Sequence, residues 1–347
     1  MSSRLSPVLL PALLLVAFAA DLALGSVPVP PRELAGILLG RRDVDPVFRQ
    51  IVLLLRLPRA LTAVLAGAAL AASGLQMQTL FRNPLAGPFV LGINAGASLG
   101  VALVVLAAGG VGAASLLPAG SLSAEVTTIG AGMLGAGVIM VLVVSLGRLV
   151  RSVVTLLVLG LLIGYGTSAA VSMLMHASSA DRIQSFVVWT FGSFGSVGWE
   201  RLALMAPAVG LGIVVAVLLS KPLNALLLGE SAAVSLGVRP RRIRALIVMS
   251  TALLAGTATA FCGPITFIGV AVPHLVRSRV RSADHRILLP SVATAGAVVA
   301  LCADIISGLP GSPARLPLNA VTSLLGAPVV AAAVIRAERI RRHRGAS

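Results

Sequence analysis

The side chains that could do chemistry in this 347-residue chain are few, and their spacing matches no catalytic site. The one lysine, Lys221, follows Val-Leu-Leu-Ser and precedes proline, so no glycine-rich loop can bring a lysine to the phosphates of a nucleotide. No Ser/His/Asp set stands out either. The four histidines have no metal-ligand spacing, and we expect no metal site; they are His176, His274, His285 and His343. The sequence therefore predicts a chain that is not itself an enzyme.

Reactive groups inside the apolar runs are also rare. Cys262 and Cys302 are the two cysteines; a bridge between them stays open, although two small buried hydrophobic side chains are favoured. Asp21, Glu125 and Asp304 lie near the ends of apolar runs. An ion-coupled pump needs carboxylates or histidines deep in the membrane, so this placement favours interfacial caps or partners for nearby arginines.

The segment 229–244 differs from its surroundings, because it contains a short polar stretch, a glycine and then four arginines within six residues. Glu230 to Leu236 can form about two helical turns, with Glu230 favoured near the positive N-terminal end of a helix. Gly237 suits a left-handed C-cap, and Pro240 suits the first turn of the next helix. The pattern predicts a short, rigid helix between two apolar segments.

The elements that must position these residues are apolar. The chain is 57% hydrophobic and 11% charged, with a mean hydropathy of +1.02, whereas about a quarter of the residues of a soluble domain are charged. A polytopic, all-α membrane protein fits this composition. The net charge of +16 does not indicate a nucleic-acid partner, because the arginines lie in short loops between apolar runs without interleaved aromatic residues.

Ten segments are long and apolar enough to be candidates for spanning a bilayer, which takes about 20 residues per helix. The eighth is the weakest, because Pro264 and Pro273 interrupt it, although broken helices are tolerated where protein or a cavity satisfies the backbone. The first could instead be a cleaved signal peptide, but its length favours a retained helix. The candidate spans are 5–25, 60–80, 89–108, 125–147, 153–176, 201–220, 243–262, 264–280, 287–307 and 318–336.

The direction of insertion follows from the arginines. With the N-terminus inside, most of the 27 basic residues fall on the cytoplasmic side, which places both termini and the segment 229–244 in the cytoplasm. Six of the remaining arginines cluster outside, within residues 32–59. The positive-inside rule does not explain why these six arginines lie on the external side.

Six short motifs occur in order along the chain. They are Leu55-Arg-Leu-Pro-Arg59, Gly67-Ala-Ala-Leu-Ala-Ala-Ser-Gly74, Phe81-Arg-Asn-Pro-Leu-Ala86, Gly229-Glu230 with Leu236-Gly237, Gly263-Pro-Ile-Thr-Phe-Ile-Gly269 with Val272-Pro-His274, and Leu325-Gly-Ala-Pro328. In these motifs, from about residue 50 to 336, the chain resembles the permease subunits of the iron-siderophore, haem and vitamin B12 family of ABC importers, the FecCD-like type II importers.

The resemblance implies a single transmembrane permease domain over residues 1–347, with ten transmembrane helices, in the cytoplasmic (inner) membrane of a prokaryote. Two copies form a homodimer around a central pathway, although a heterodimer with a related permease stays open. Two cytoplasmic ATPase subunits dock below, and an external substrate-binding protein delivers the cargo. ATP and Mg²⁺ then belong to the ATPase, and this chain binds no cofactor.

The resemblance also assigns the segment 229–244 as the coupling segment, which fits a cleft in the ATPase. The alternative is an ordinary cytoplasmic loop, which accounts for the arginines but not for the Gly-Glu and Leu-Gly spacing. The residues that match the family's coupling positions are Gly229, Glu230, Ser231, Leu236, Gly237 and Arg241.

For the outer segment 32–59, the resemblance implies docking of the binding protein, because Arg56 and Arg59 fall on positions that pair with its acidic residues. The alternative is a pair of arginines that snorkel to the interface at a helix start. The chain departs from the family at Gly308, where an arginine is common, and at Arg315, where glutamate is common. Either Arg315 supplies the third positive contact from a shifted position, or the docking surface differs.

Two further assignments follow from the resemblance. Asn83 and Leu85 match positions of the cytoplasmic gate, although Asn-Pro is also a good turn former. Gly164, Ser168 and Ser172 make the fifth span suitable as a pathway wall, and they suit close helix packing nearly as well.

The sequence thus predicts a non-catalytic importer permease for an iron chelate, with ferric siderophore, haem and cobalamin as candidate cargoes. Two alternatives remain, which are an ion-coupled secondary transporter and a membrane-embedded assembly subunit without cargo.

Overall fold

The computed structural model describes residues 9–41, 43–106, 122–150, 152–280, 282–308 and 315–345. Within these ranges the secondary structure is helical, and no strand occurs. The α-helices in chain order are α1 (Leu9–Ala23), α2 (Pro31–Leu38), α3 (Pro46–Gln50), α4 (Leu57–Leu80), α5 (Ile93–Val105), α6 (Leu122–Leu149), α7 (Val153–His176), α8 (Ala180–Thr190), α9 (Trp199–Leu218), α10 (Ser220–Leu227), α11 (Glu230–Ser235), α12 (Pro240–Cys262), α13 (Ile268–Arg279), α14 (His285–Ser307) and α15 (Leu318–Gly345).

Among the described residues, six helical stretches are long and apolar enough to cross a bilayer: Pro46–Leu80, Val126–Gly147, Val154–His176, Trp199–Leu218, Pro240–Cys262 and His285–Ser307. Three shorter apolar helices accompany them, Leu9–Ala23, Ile93–Val105 and Leu318–Ala332. The structure therefore confirms an all-helical chain with several membrane-capable helices. The predicted span ends 5–8 and 107–108, and the side chains of Glu125 and His343, lie outside the described residues.

Two of the predicted spans, the second and the eighth, differ from the structure in a way that changes the local architecture. The second does not begin at residue 60, because α3, a π-helical turn (Ile51–Arg56) and α4 form one continuous helix from Pro46 to Leu80. The eighth is not a full span. Residues 263–267 are non-helical, the left-handed Phe267 (φ 67°) precedes α13, and the helix that follows has only 12 residues.

The helix α4 is the centre of the bundle and packs against α9, α12, α13 and α14. Glycines bring their backbones into contact. A Cβ added at Gly67 would lie 2.3 Å from the carbonyl oxygen of Gly296, and one added at Gly74 would lie 1.8 Å from that of Gly269. Since neither neighbour is a flexible side chain, only glycine fits at Gly67 and Gly74, which explains two positions of the second motif.

The periphery is apolar and poorly covered. Only 17% of the membrane-capable stretch of α7 is buried, against 78% of that of α12. Of the two cysteines, both free, Cys262 is buried as expected, whereas Cys302 is exposed. It follows that the two cysteines are not bridged, and that Cys302 is not a core residue, because it lies on the solvent-accessible side of α14 between the buried Leu301 and Ala303.

Candidate functional site

Polar side chains gather at the two ends of the helix α4. From Arg59 to Thr79 the helix rises about 30 Å, since each residue adds about 1.5 Å. We call the group at the start of α4 the outer cluster, after its predicted orientation; its members are Asp21, Arg56, Arg59, Asp304 and Arg315. We call the group at its end the inner cluster; its members are Thr79, Arg82, Asn224, Arg277 and His285.

The outer cluster is built on an ion pair between α4 and α14. Arg59 donates from Nε to Asp304 Oδ2 and from Nη2 to Asp304 Oδ1, each at 2.6 Å. The two side chains are 11% and 4% exposed, so the pair is nearly closed to solvent. Asp304 is therefore the partner of an arginine, one of the two roles that its position near the span end allowed.

Arg56 holds the end of α1 and the chain that follows it. Its Nη1 donates to the carbonyl oxygen of Leu22 at 2.8 Å, and its Nη2 donates to that of Val27. Gly25 passes directly beneath the guanidinium group with φ +154°, and a Cβ there would lie 2.8 Å from Nη2. Arg56 thus has a structural role within this chain, and this role accounts for its half-buried position.

Arg315 lies with the other two predicted docking residues. It lines a cavity of about 280 Å³ together with Arg56, Arg59 and Gly308. A Cβ added at Gly195 would lie 3.5 Å from Nη1 of Arg315 and 3.6 Å from Nη1 of Arg59, so the two guanidinium groups approach the same point. The tertiary structure therefore brings Arg315 into the same cavity as Gly308, although the two residues are seven positions apart in the sequence.

The turn at the end of α4, residues 81–86, is called the gate turn below. Asn83 Oδ1 accepts a hydrogen bond from the backbone N–H of Leu85 at 2.9 Å, so its side chain shapes the turn. The side chain of Leu85 is exposed. Within one copy of the chain, Asn83 has the turn-forming role that the sequence allowed, and Leu85 is free for contacts outside it.

Arg82 has a backbone conformation that is unusual for arginine. Its φ of 49° is left-handed, and the N–H of Asn83 donates to the carbonyl oxygen of Gln78 at 3.1 Å, which is the hydrogen bond of a Schellman C-cap. The same cap ends α11 with the ordinary residue, Gly237 (φ 79°). A left-handed arginine costs about 1–2 kcal/mol more than glycine, which indicates that the Arg82 side chain is needed here.

The side chain of Arg82 connects the gate turn to the end of α10, the helix that immediately precedes the coupling segment. Its Nη2 donates to the carbonyl oxygen of Leu226 at 2.9 Å, near the C-terminal end of α10. A Cβ added at Gly229 would lie only 3.5 Å from the same nitrogen. Arg82 was not among the predicted site residues. Its position within the third motif gave no sign of a partner 144 residues away.

The coupling segment has the local structure that the sequence predicts. The helix α11 covers Glu230–Ser235, Gly237 is left-handed, and α12 begins at Pro240. Leu236 is 64% exposed, whereas Ala233 is fully buried against the bundle. Gly229 has φ +117°, which favours glycine. This short helix therefore has one face fixed to the protein and one face free.

The coupling segment contains an ion pair that was not predicted from the sequence. Glu230 accepts from Nη2 of Arg244 at 2.5 Å, and Arg244 was not among the predicted coupling residues. The predicted Arg241 is exposed, as is Ser231, whose carbonyl oxygen accepts from the hydroxyl of Ser235. The opposite charges of Glu230 and Arg244 were a signal for this pair, but the two residues lie on different helices, α11 and α12, so no helical period could place them together.

A second connection joins α10 to the bundle through His285, which is 1% exposed. Its Nδ1 lies 2.7 Å from Oδ1 of Asn224 in α10, and its Nε2 lies 2.8 Å from Oγ1 of Thr79 in α4. Asn224 also donates to Asp284, the N-cap of α14, at 2.6 Å. Hydrogen bonds from the backbone N–H of Arg286 and from Asn224 hold the pKa of Asp284 below its usual range. The inner cluster thus ties α4, α10 and α14 together.

The predicted pathway residues lie on α7, the least buried of the long apolar helices described. Ser168 and Ser172 are exposed, and the hydroxyl of Ser172 donates to the carbonyl oxygen of Ser168 at 3.0 Å. Gly164 is half-buried and faces Gly92, where a Cβ on Gly164 would lie 3.9 Å from the Gly92 Cα. The face that carries both serines is thus uncovered within one copy. Among the described residues, no group of three or more His, Cys, Asp or Glu side chains could hold a metal ion.

The structure is an apolar helical bundle with the short polar helix α11 at one end and an arginine-rich surface at the other. These features fit a membrane-embedded permease. Comparison with known proteins gives the particular family. Residues 13–336 match the model of the FecCD transport family, and the chain belongs to that family. The family inferred from the six motifs is confirmed.

Two curated relatives and one solved structure define the similarity further. The chain is 37% identical over 329 residues to the hemin transport system permease protein HmuU of Yersinia pestis, covering 94% of this chain and 96% of the relative. It is 38% identical over 317 residues to the vitamin B12 import system permease protein BtuC of Klebsiella pneumoniae, covering 91% and 89%. A metal-chelate type ABC transporter solved in an inward-facing conformation superposes with a TM-score of 0.81 and 30% identity, covering 94% of this chain and 97% of that one.

Proposed function

We propose that this chain is the non-catalytic translocation subunit of an ATP-driven importer for a metal chelate, with ferric siderophore, haem and cobalamin as the candidate cargoes. The relatives support this class, because their names describe hemin transport and vitamin B12 import and the structural neighbour is a metal-chelate type transporter. Two copies form a homodimer in the cytoplasmic membrane, with both termini and the coupling segment in the cytoplasm. Two ATPase subunits bind below and an external binding protein binds above. ATP and Mg²⁺ are bound by the ATPase.

The observation that carries the proposal is the hydrogen bond from Arg82 to Leu226, which lies just before the coupling segment. A coupling element must be stiff, and it must be joined to the part that opens. The helix α11 is bounded by two glycines with positive φ, Gly229 and Gly237, and its exposed Leu236 and Glu230 present a surface to a partner. The hydrogen bond from Arg82 to Leu226 then joins this element to the gate turn.

The mechanism follows from these connections. When the ATPases close on ATP, they displace the coupling segment at Glu230, Ser231 and Leu236, and the displacement reaches Arg241 at the start of α12. Arg82 passes the displacement to the gate turn, and His285 passes it to α4 and α14. Asn83 and Leu85 of the two copies separate, and cargo passes along a wall formed by Gly164, Ser168 and Ser172 of α7.

Docking of the binding protein takes place at the outer cluster. Arg56, Arg59 and Arg315 outnumber the two acidic residues of that cavity, so the surface favours an acidic partner. Charge pairs across such an interface increase the rate of encounter and fix the orientation more than they add affinity. Because Arg59 is already bound to Asp304, an incoming carboxylate shares Arg59 with Asp304 or replaces it.

The test of coupling uses the complex of permease and ATPase in liposomes with the binding protein. Arg82→Gln removes the charge and shortens the reach to Leu226, so we expect ATP hydrolysis to continue while uptake falls by about tenfold, as expected for the loss of one hydrogen bond from a charged donor. The matched control is Arg279→Gln, an exposed arginine at the same end of the bundle. Unchanged uptake per ATP in Arg82→Gln would contradict the proposed coupling route.

The same assay also identifies the cargo and distinguishes an ATP-driven importer from a secondary transporter. Labelled ferric siderophore, haem and cobalamin are offered in turn, and at least one should accumulate only when ATP and the ATPase are present. Uptake that persists without the ATPase and stops when the ion gradient is dissipated would instead indicate a secondary transporter.

A further inference from the structure

Two cavities follow one another along α6 and α12, and neither is lined by a residue of the outer or the inner cluster. The deeper cavity, of about 390 Å³, lies between α6, α9 and α12 and is lined almost entirely by apolar groups, with Met133, Met140 and Met249 among them. The second cavity, of about 270 Å³, continues along the same two helices and is lined by Val143, Gly147 and neighbouring residues. We call the two cavities together the α6–α12 groove, of which they are the deep part and the second part.

The end of the groove nearest the start of α12 is positively charged. Arg241, Arg242 and Arg244 line its second part, and they lie in the first turns of α12, which has no acidic residue in its first turn. The N-terminal end of a helix is itself positive and has free N–H groups, so it favours anions. Of these arginines, Arg244 binds Glu230, whereas Arg241 and Arg242 are exposed. Arg241 and Arg242, two adjacent cations at the positive end of a helix, repel one another unless an anion neutralises them.

The length of the groove fits one leaflet of a bilayer. Thr257 is the lining residue of α12 that is farthest from the arginines, and from Arg244 to Thr257 the helix rises about 20 Å. Half of a bilayer is about 20 Å thick when the headgroup region is counted with the hydrocarbon core. An acyl chain that begins beside the arginines therefore reaches the deep end of the groove. Methionine suits such a surface, because its flexible thioether adapts to a mobile hydrocarbon chain.

We propose that the α6–α12 groove binds a phospholipid with an anionic headgroup. One acyl chain lies along the apolar part between α6, α9 and α12, and the phosphate of the headgroup binds Arg241 and Arg242 at the start of α12. Because α12 follows directly on the coupling segment, the lipid neutralises the charge at the point where that segment enters the membrane. The proposal does not depend on the identity of the cargo or on ATP-driven transport.

Gly137 allows the groove to be filled without disturbing the protein. It lines the deep part of the groove, and a Cβ added there meets no atom within 4 Å. Gly137→Leu should therefore fold and occupy the space of the acyl chain. The matched control is Gly210→Leu, since a Cβ at Gly210 also meets nothing within 4 Å and the residue does not line the groove.

The experiment measures lipid that copurifies with the full-length permease and lipid that rebinds to it, by native mass spectrometry with phosphatidylglycerol and phosphatidylethanolamine in turn. We expect phosphatidylglycerol to bind more tightly than phosphatidylethanolamine, and Arg241→Gln/Arg242→Gln to weaken it by about thirtyfold. Gly137→Leu should weaken both lipids. Gly210→Leu and the charge control Arg279→Gln/Arg286→Gln should bind as the unmodified chain does.

The proposal is overturned if the two lipids bind equally, or if either the arginine variant or Gly137→Leu keeps full affinity for phosphatidylglycerol. An equal loss in Arg279→Gln/Arg286→Gln also overturns it, because the binding would then reflect only the overall charge of that end of the protein. Thermal unfolding of each variant, recorded alongside, separates loss of lipid from loss of fold.

Discussion

At the outer end of α4, Arg59 binds Asp304 through two hydrogen bonds between a guanidinium group and a carboxylate. At the inner end, Thr79 binds an imidazole ring and Arg82 binds a backbone carbonyl oxygen. Both ends fix the same helix, but the contacts differ in what can replace them. A carboxylate can be exchanged for another carboxylate, whereas a helix carbonyl has no competitor of the same geometry.

This difference fits the two tasks that we propose. The outer cluster contains charged groups that a soluble partner also carries, so a partner can bind by joining an existing pair. The inner cluster contains groups that are directed at other parts of the same chain, so displacement of α10 and α11 moves α4 and α14 with it. An exchangeable contact suits docking, and a fixed contact suits transmission of force.

The largest effect that tests this comparison is expected at Arg59. Arg59→Ala leaves the buried Asp304 without its partner, which costs about 3–5 kcal/mol of stability. Replacing both residues, in Arg59→Leu/Asp304→Leu, should restore much of that loss, because it removes both buried charges. Thermal unfolding in detergent gives the stability, and binding-protein affinity gives the docking.

The double variant separates the two roles of Arg59. If Arg59 serves docking as well as folding, the double variant unfolds nearly like the unmodified permease but binds the binding protein more weakly and more slowly. A double variant with normal docking would limit Arg59 to a structural role, and the contrast between the two clusters would lose its basis.

A smaller effect is expected at His285. His285→Ala removes the ring that bridges Asn224 and Thr79, and the loss of two buried hydrogen bonds should cost about 1–3 kcal/mol. Thr79 keeps its bond to the carbonyl oxygen of Leu75, and Asn224 keeps its bond to the backbone N–H of residue 285. Hydrogen exchange should increase around residues 220–236, because α10 loses its tie to α4. The control is His176→Ala, an exposed histidine at the end of α7. Exchange that rises equally around the outer cluster would show that the two ends are not independent.

The smallest effect is expected at the surface pair of the coupling segment. Glu230 is 56% exposed, and exposed ion pairs contribute about 0.2–1 kcal/mol. Glu230→Gln should therefore barely change the stability of the isolated permease. In the complex, however, Glu230→Gln with Leu236→Ala should reduce uptake per ATP while the dimer stays folded. Normal uptake per ATP in this variant would contradict the proposed role of the coupling segment in transport.

Local chemistry was sufficient for the elements whose structure depends on neighbours in sequence. Gly237 ends α11 and Pro240 begins α12 because their backbone preferences are the same in any surroundings. Long apolar runs predict membrane-capable helices for the same reason. The short α13 was not predicted, because its start depends on Phe267, a left-handed residue that packs against Gly326 of α15.

The amino-acid sequence by itself determined the class of protein, the family, the local shape of the coupling segment and the absence of any nucleotide-binding loop. Only the tertiary structure decided which charges meet. Arg59 and Asp304 are 245 residues apart, Thr79 and His285 are 206 apart, and Arg82 and Leu226 are 144 apart. No helical or turn period relates such positions, since their distance depends on how α4, α10 and α14 pack. The close approach of Gly67 and Gly296 is one of the contacts that define this packing, and it joins residues that are far apart in the sequence.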